Sequence, residues 1–209
     1  MKLIIATPSP YARKANVALL EKNIPVETII DNPWAPDTGI ATINPLGKVP
    51  ALILDDGQVV HDSSVIVEYL DTLPQPPRLI PQEPALRVAV KQIEAIADGV
   101  CDAVVLIVLE RNRKPEQQNA AWMSRQRRKI EAGVEELSRL LGERDFFTGA
   151  GFSLAEIATA CSLGYLDLRF PEFDWRAGHD ILERLFIEMS ARPSFLQTAP
   201  TAQVVPQEP

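Results

Sequence analysis

Asn44-Pro45-Leu46-Gly47-Lys48-Val49-Pro50-Ala51-Leu52-Ile53-Leu54-Asp55-Asp56-Gly57-Gln58-Val59-Val60-His61-Asp62-Ser63-Ser64-Val65-Ile66-Val67-Glu68-Tyr69 reads as a loop, a β-hairpin and the first turns of a helix. Pro50 opens the apolar run Ala51 to Leu54, and a proline is tolerated at a strand's first residue, where its missing ladder donor does least harm. Val49-Pro50 is therefore a candidate cis bond. Asp55-Asp56-Gly57 separates two β-prone runs, and a glycine that accepts positive φ is a strong hairpin signal. Asp62-Ser63-Ser64 then precedes Val65, Ile66, Tyr69 and Leu70 at helical spacing. A helix starts there with an Asp or Ser cap and free backbone N–H groups, a place suited to a carboxylate.

Upstream, Leu3-Ile4-Ile5-Ala6 is a short apolar run stopped by Pro8 and Pro10, which predicts a buried strand and a tight turn. Ala12, Ala15, Val17, Ala18 and Leu19 recur at helical spacing as far as Asn23. Val26 to Ile30 alternates and is β-branched, so a second strand follows, parallel to the first across a right-handed crossover. The proline-rich text from Asn32 to Gly39 predicts a surface loop. With the hairpin and its helix, residues 1–73 form a thioredoxin-like βαβ-ββα layer.

Downstream, Leu73-Pro74-Gln75-Pro76-Pro77-Arg78 breaks the pattern, and residues 74–82 read as a linker. No convincing strand follows. Leu86, Val90, Ile93, Ala97, Val100, Val104 and Ile107 describe one long amphipathic helix, in which Gly99 predicts close packing or a bend. A second helix carries Met123, Ile130, Val134, Leu137 and Leu141 and ends at Gly142. Ser153 and Glu156 form a capping box ahead of a third, with Phe152 as its staple residue. A last helix, Ile181 to Met189, stops before Arg192-Pro193. The fold class is α+β: the layer, an all-α domain over 83–196, and a flexible tail over 197–209, which holds three prolines.

A chain of 209 residues accommodates two domains, and 46% hydrophobic with 23% charged residues is ordinary for a soluble globular protein. No apolar run approaches the roughly 18 residues that span a bilayer, and the first residues do not form a leader; a cytoplasmic protein without a membrane partner is expected. A net charge of −7 argues against nucleic acid. The run Arg125 to Lys129 is interleaved with acids farther along its helix and reads as a solvated face. Cys101 and Cys161 lie far apart without a CxxC, so buried reduced thiols are expected, with neither a disulfide nor a metal site.

Lys48-Val49-Pro50, a two-strand hairpin and Asp62-Ser63 opening a helix resemble, in order and spacing, the glutathione-binding half of the glutathione transferases. The helical second half, with its capping box and the closing Ala191-Arg192-Pro193-Ser194-Phe195, extends the resemblance to residue 196 or so. Pro8-Ser9-Pro10-Tyr11-Ala12-Arg13-Lys14 resembles the bacterial YibF-like members, with Ser9 where the family carries its catalytic serine, tyrosine or cysteine. The resemblance implies a homodimeric transferase that uses glutathione as co-substrate and a small electrophile as second substrate, without a metal. By the same resemblance Val49 pairs with the cysteinyl backbone of glutathione, and Asp62 and Ser63 bind its γ-glutamyl carboxylate. Lys48 approaches the glycine carboxylate, and Asp98, on the interface helix, reaches the partner's glutathione amine. Tyr11, Trp34, Ile107 and Arg111 are the candidate walls of the second-substrate pocket.

Such an enzyme must make a thiolate from a thiol of pKa ~8.5, which takes donors and positive potential at the sulfur. The N-terminus of the first helix offers both, and the Ser9 hydroxyl stands at its turn. Bland roles stand beside these. Ser9 can simply shape the turn or cap the helix, and Tyr11 is a competing donor. Lys48 can be an exposed loop lysine, His61 a strand-end residue and Asp62 a cap. The absence of cysteine from Thr7-Pro8-Ser9-Pro10 disfavours disulfide exchange. Two other functions fit the same fold: a non-catalytic glutathione-binding or regulatory protein, and an isomerase that uses glutathione as cofactor.

Overall fold

A computed structural model of the chain describes residues 1–149 and 151–203. β1 (Lys2–Ile5), α1 (Pro10–Glu21), β2 (Glu27–Ile30), β3 (Ala51–Ile53), β4 (Val59–Val60) and α2 (Ser63–Thr72) build the N-terminal thioredoxin-like domain. The sheet order is β2-β1-β3-β4. β1 runs parallel to β2 with Leu3 opposite Thr28, and antiparallel to β3 with Leu3 opposite Leu52. Gly57, at φ 87°, makes the β3–β4 turn. Leu3 and Leu52 point to the face covered by Ala15, Ala18 and Leu19 of α1 and Ile66 and Leu70 of α2. Ile4 and Ala51 point to the other, where Ile40 from a single 3-10 turn closes a small core. The Val49–Pro50 and His61–Asp62 peptide bonds are both cis.

The helical domain contains α3 (Pro84–Arg111), α4 (Ala120–Leu141), α5 (Leu154–Arg169), α6 (Asp180–Ser190) and α7 (Pro193–Gln197). α5 is buried all round from Leu154 to Leu166 and stands at the centre, against both α3 and α1. Its capping box is formed as read: Ser153 Oγ accepts from Ala155 N, and Glu156 accepts from Ser153 N at 2.7 Å. α7 departs from the sequence reading, in which Arg192-Pro193 ends the helices. Proline lacks only a donor that the first helical position does not use, so Pro193 starts a new turn. Where a tail is expected from Gln197, the chain turns back towards the N-terminal layer, and Thr201 O accepts from Thr7 Oγ1 at 3.1 Å. Residues 204–209 of that tail lie outside the described residues.

Gly99 does not meet the expectation of close packing, because a Cβ built there has nothing within 4 Å. The glycine that the α3–α4 contact requires is Gly133, whose Cβ would overlap Val100 Cγ2. A valine on a helix has one strongly preferred rotamer and cannot swing away cheaply. Gly99→Ala is therefore expected to raise stability by about 0.5–1 kcal/mol, and Gly133→Ala to lower it by about 1–3 kcal/mol. Urea unfolding of the two variants measures both signs.

The two domains share polar ties, buried at Lys14 and partly buried elsewhere. Lys14 of α1, 1% exposed, reaches Glu94 Oε1 at 2.9 Å and Asp98 Oδ2 at 2.6 Å on α3. Arg192 donates to both Glu21 oxygens, at 2.9 and 2.6 Å, and Arg13 Nη2 donates to Phe195 O at 3.2 Å. Lys22 Nζ donates to Gln75 O and Pro77 O at 2.6 and 2.9 Å, which anchors the loop between the domains on the end of α1. Cys101 and Cys161 are buried free thiols, and burial pushes Cys161 up to about 12. Among the described residues no helix is long and apolar enough to cross a membrane.

Candidate functional site

Where the N-terminal layer meets α3 and α5, a cleft of about 290 Å³ opens. Its first wall is the turn after β1. Ser9 N donates to Ala6 O at 3.0 Å, and the Ser9 backbone is extended, so the residue sits just outside α1 as its N-cap. Its Oγ accepts from Ala12 N at 3.2 Å. A hydroxyl has one donor and two lone pairs, so capping uses a lone pair and leaves the O–H free. Capping and sulfur binding, alternatives in the sequence, are compatible in the fold.

Tyr11, one turn into the same cleft, donates its hydroxyl to Asp102 Oδ1. Burial raises its pKa first of all, and the neighbouring Cys101, Asp102 and Asp98 raise it further, so Tyr11 remains a neutral phenol with its one donor spent. That separates the two competing donors.

The second wall is the segment before the hairpin. Asn44 Nδ2 donates to Lys48 O at 2.8 Å and Asn44 Oδ1 accepts from Leu46 N at 3.0 Å; Gly47, at φ 61°, completes the loop. The loop presents Lys48, Val49 and Pro50 to the cleft. At the start of α2, Asp62 Oδ1 accepts from Ser64 N at 2.8 Å and from the hydroxyls of Ser64 and Ser63. Burial raises the Asp62 pKa, but the Ser64 contacts, Lys14 and Ser63 outweigh it and hold the carboxyl below its usual value. Ser63 is buried at the first turn of α2, at the rim of the cleft. Asn32 Oδ1 accepts from Trp34 N at 3.2 Å and so sets the loop that brings Trp34 to the same rim.

Ser9, Tyr11, Trp34, Lys48, Val49, Asp62 and Ser63 thus line one cleft, and His61 joins them. Asp98 is not among the lining residues; it sits against Lys14, and burial, opposed by Lys14, pushes its carboxyl up to about 6. Ile107 and Arg111 are a correction. They line a separate cavity of about 340 Å³ with Met123, Arg127, Phe170 and Phe173. Arg111 there pairs with Glu172 at 2.9 Å and stacks on Phe170. The residues of α3 that face the cleft are Asp102, Val105 and Leu109. A step of two residues turns about 200° around a helix, so Ile107 and Arg111 look the other way.

The cleft, and not this second cavity, brings together the Ser9 hydroxyl at the N-cap of α1 and the start of α2. Sequence reading missed its far wall: Asp102, Val105 and Leu109, whose three-then-four spacing marks one helix face, and Tyr165, Arg169 and Gln203. Among the described residues no cluster of three or more His, Cys, Asp and Glu is placed to hold a metal ion.

The family model of the glutathione S-transferase N-terminal domain matches residues 8–73, and that of the C-terminal domain residues 120–186. The uncharacterized GST-like protein YibF of Escherichia coli (strain K12) is 38% identical over 200 residues, which are 96% of this chain and 98% of that one. A glutathione S-transferase of Methylobacterium radiotolerans, crystallised with glutathione sulfonate, superposes with a TM-score of 0.95 at 47% identity, covering 99% of this chain and 98% of its own. A glutathione transferase family member of Pseudomonas fluorescens Pf-5, crystallised with S-(propanoic acid)-glutathione, has a TM-score of 0.85 at 38% identity, covering 97% of this chain and 100% of its own.

Proposed function

We propose that this chain, which belongs to the glutathione S-transferase family, binds glutathione along the cleft and holds its sulfur as a thiolate for attack on a small electrophile. One observation carries the reading: at the N-cap of α1 the Ser9 hydroxyl keeps a free O–H, while the rival donor Tyr11 is spent on Asp102. Glutathione sulfonate in one relative and an S-substituted glutathione in another support a cleft of this kind. In this reading the γ-glutamyl carboxylate takes the free N–H groups of α2 and the Ser63 hydroxyl, turned away from its 3.4 Å contact with Asp62; the ionised Asp62, which the resemblance pairs with that carboxylate, takes the adjoining ammonium instead, since two anions repel. Val49 pairs with the cysteinyl backbone through its own peptide groups. Lys48, exposed on its loop, reaches the glycine carboxylate. The protein acts as a cytoplasmic homodimer, in which Asp98, with 26% of its side chain exposed, meets the partner's ligand.

Catalysis then needs little beyond placement. Binding energy from the γ-glutamyl arm and the peptide backbone fixes the sulfur, and the rate gain comes from thiolate formation and orientation. Titration calorimetry tests the reading. Wild type is expected to take up glutathione, and Ser63→Ala to bind it about tenfold more weakly, the loss of one hydrogen bond to a charged group. Folded protein that takes up no glutathione at millimolar concentration overturns the reading. Uptake without turnover of any of a panel of aryl halides, unsaturated carbonyls and halo-acids reduces the protein to a binding module.

A further inference from the structure

Arg169 is the cation on the helical wall of the cleft, at the last residue of α5. Its guanidinium lies 5.5 Å from the Tyr165 ring centroid. Nε and Nη2 are shielded from solvent and have no hydrogen-bond partner. Among the described residues no carboxylate lies within ion-pair distance of it. Arg111, Arg127, Arg176 and Arg192, in the same domain, each have one. A half-buried guanidinium with two unmatched nitrogens is costly to keep unless an anion completes it. The carbonyl end of α5 favours a cation here and accounts for part of this. It does not use the two nitrogens.

Resting on the glutathione reading above, we infer that Arg169 receives a carboxylate carried by the electrophile, so that the second substrates are small organic acids with a leaving group near the acid. Once the side chain turns its two unpartnered nitrogens into the cleft, the guanidinium fork matches a carboxylate with two parallel hydrogen bonds, which fixes both the charge and the direction of the substrate. Trp34, Val105 and Leu109 supply apolar cover for a short carbon skeleton. Asp102 faces the same cleft and works against an anion, but its Oδ1 is engaged by Tyr11. The acid group therefore belongs at the Arg169 end. In the reaction the sulfur lone pair forms the S–C bond while the carbon–halogen bond breaks. The halide leaves with that bond's electron pair, and the thiol proton has already gone to solvent. Nothing is oxidised or reduced.

Two matched probes isolate the charge: S-carboxymethylglutathione and its neutral amide, S-carbamidomethylglutathione. Calorimetry on wild type is expected to show the acid bound about tenfold or more tightly than the amide. Arg169→Gln is expected to erase that preference while leaving unsubstituted glutathione within about twofold. Arg169→Lys, which keeps the charge and loses the fork, retains part of it. Enzymatic rates above background should follow: kcat/KM for iodoacetate over that for iodoacetamide falls in Arg169→Gln to the ratio of the spontaneous reactions. A wild type indifferent to the charge overturns the inference, as does a preference that survives Arg169→Gln. So does an equal loss for all three ligands, the mark of a merely structural residue. If Arg169→Gln does not fold, the wild-type comparison and Arg169→Lys decide. Failure to bind unsubstituted glutathione removes the function beneath; failure on charge alone leaves it standing.

Discussion

Replacing Ser9 by alanine is expected to lower the glutathione conjugation rate at pH 7 by about 8- to 25-fold, the consequence of a sulfur pKa that rises by one to two units to its free value of ~8.5. Glutathione affinity should remain within about threefold, since one donor among many contacts is lost. The two effects separate because the hydroxyl meets the sulfur, whereas the peptide is held by Val49, Asp62 and Ser63. The pH profile gives the sign. A raised sulfur pKa starves the variant of thiolate at neutral pH, so its deficit narrows as pH rises and closes above about pH 9. Alanine also removes a helix cap, at a cost of about 1 kcal/mol in stability. Absorbance of the bound thiolate across pH measures the shift directly. An unchanged sulfur pKa in Ser9→Ala removes the serine from the chemistry and leaves it a cap.

Lys14→Met is expected to cost about 3–5 kcal/mol of stability, the range found when one member of a buried ion cluster is removed. The methionine fills most of the volume, so the loss is electrostatic. Glu94 keeps Lys91 on its other oxygen, but Asp98 loses the ammonium at 2.6 Å. Burial already holds Asp98 up to about 6, with Lys14 pulling against it, and without Lys14 it goes higher. An acid whose folded pKa exceeds its unfolded one favours folding most below the unfolded value, ~3.8, and loses that contribution as pH rises through the folded value. The Lys14→Met deficit should therefore be smaller at pH 5 than at pH 8. Urea unfolding at the two pH values tests this, and equal deficits sink it.

Much of the architecture is written locally. Pro50, Gly57 and the Asp62 cap punctuate the N-terminal layer strongly enough that its order can be read without a partner. The Ser153–Glu156 box does the same for α5. What escapes reading is phase and pairing. Gly99 and Gly133 look alike in a string; only the approach of Val100 tells which one a methyl group would disturb. Ile107 and Arg111 belong to the right helix but the wrong face, since the side of α3 that meets the cleft depends on how α5 rolls it. Arg169 carries no local signal beyond ending a buried helix. What marks it is a place on the cleft wall together with two unpartnered nitrogens, both set by neighbours distant in sequence. Pro193 shows the same limit in reverse: proline stops one helix and begins another, and only the following residues' packing decides.

The ties through Lys14 and Glu21 bear on how such proteins can be recombined. A chimera that joins the first 80 or so residues of this chain to the helices of a cousin separates Lys14 from Glu94 and Asp98, and Glu21 from Arg192 and Ser194, even when both fragments come from stable parents. Crossovers placed in the loop after α2 should give poor yields unless residues 94, 98, 192 and 194 travel with α1. The unit of inheritance is then a set of matched positions scattered along the chain, and swapping specificity between relatives calls for transplanting residues one by one.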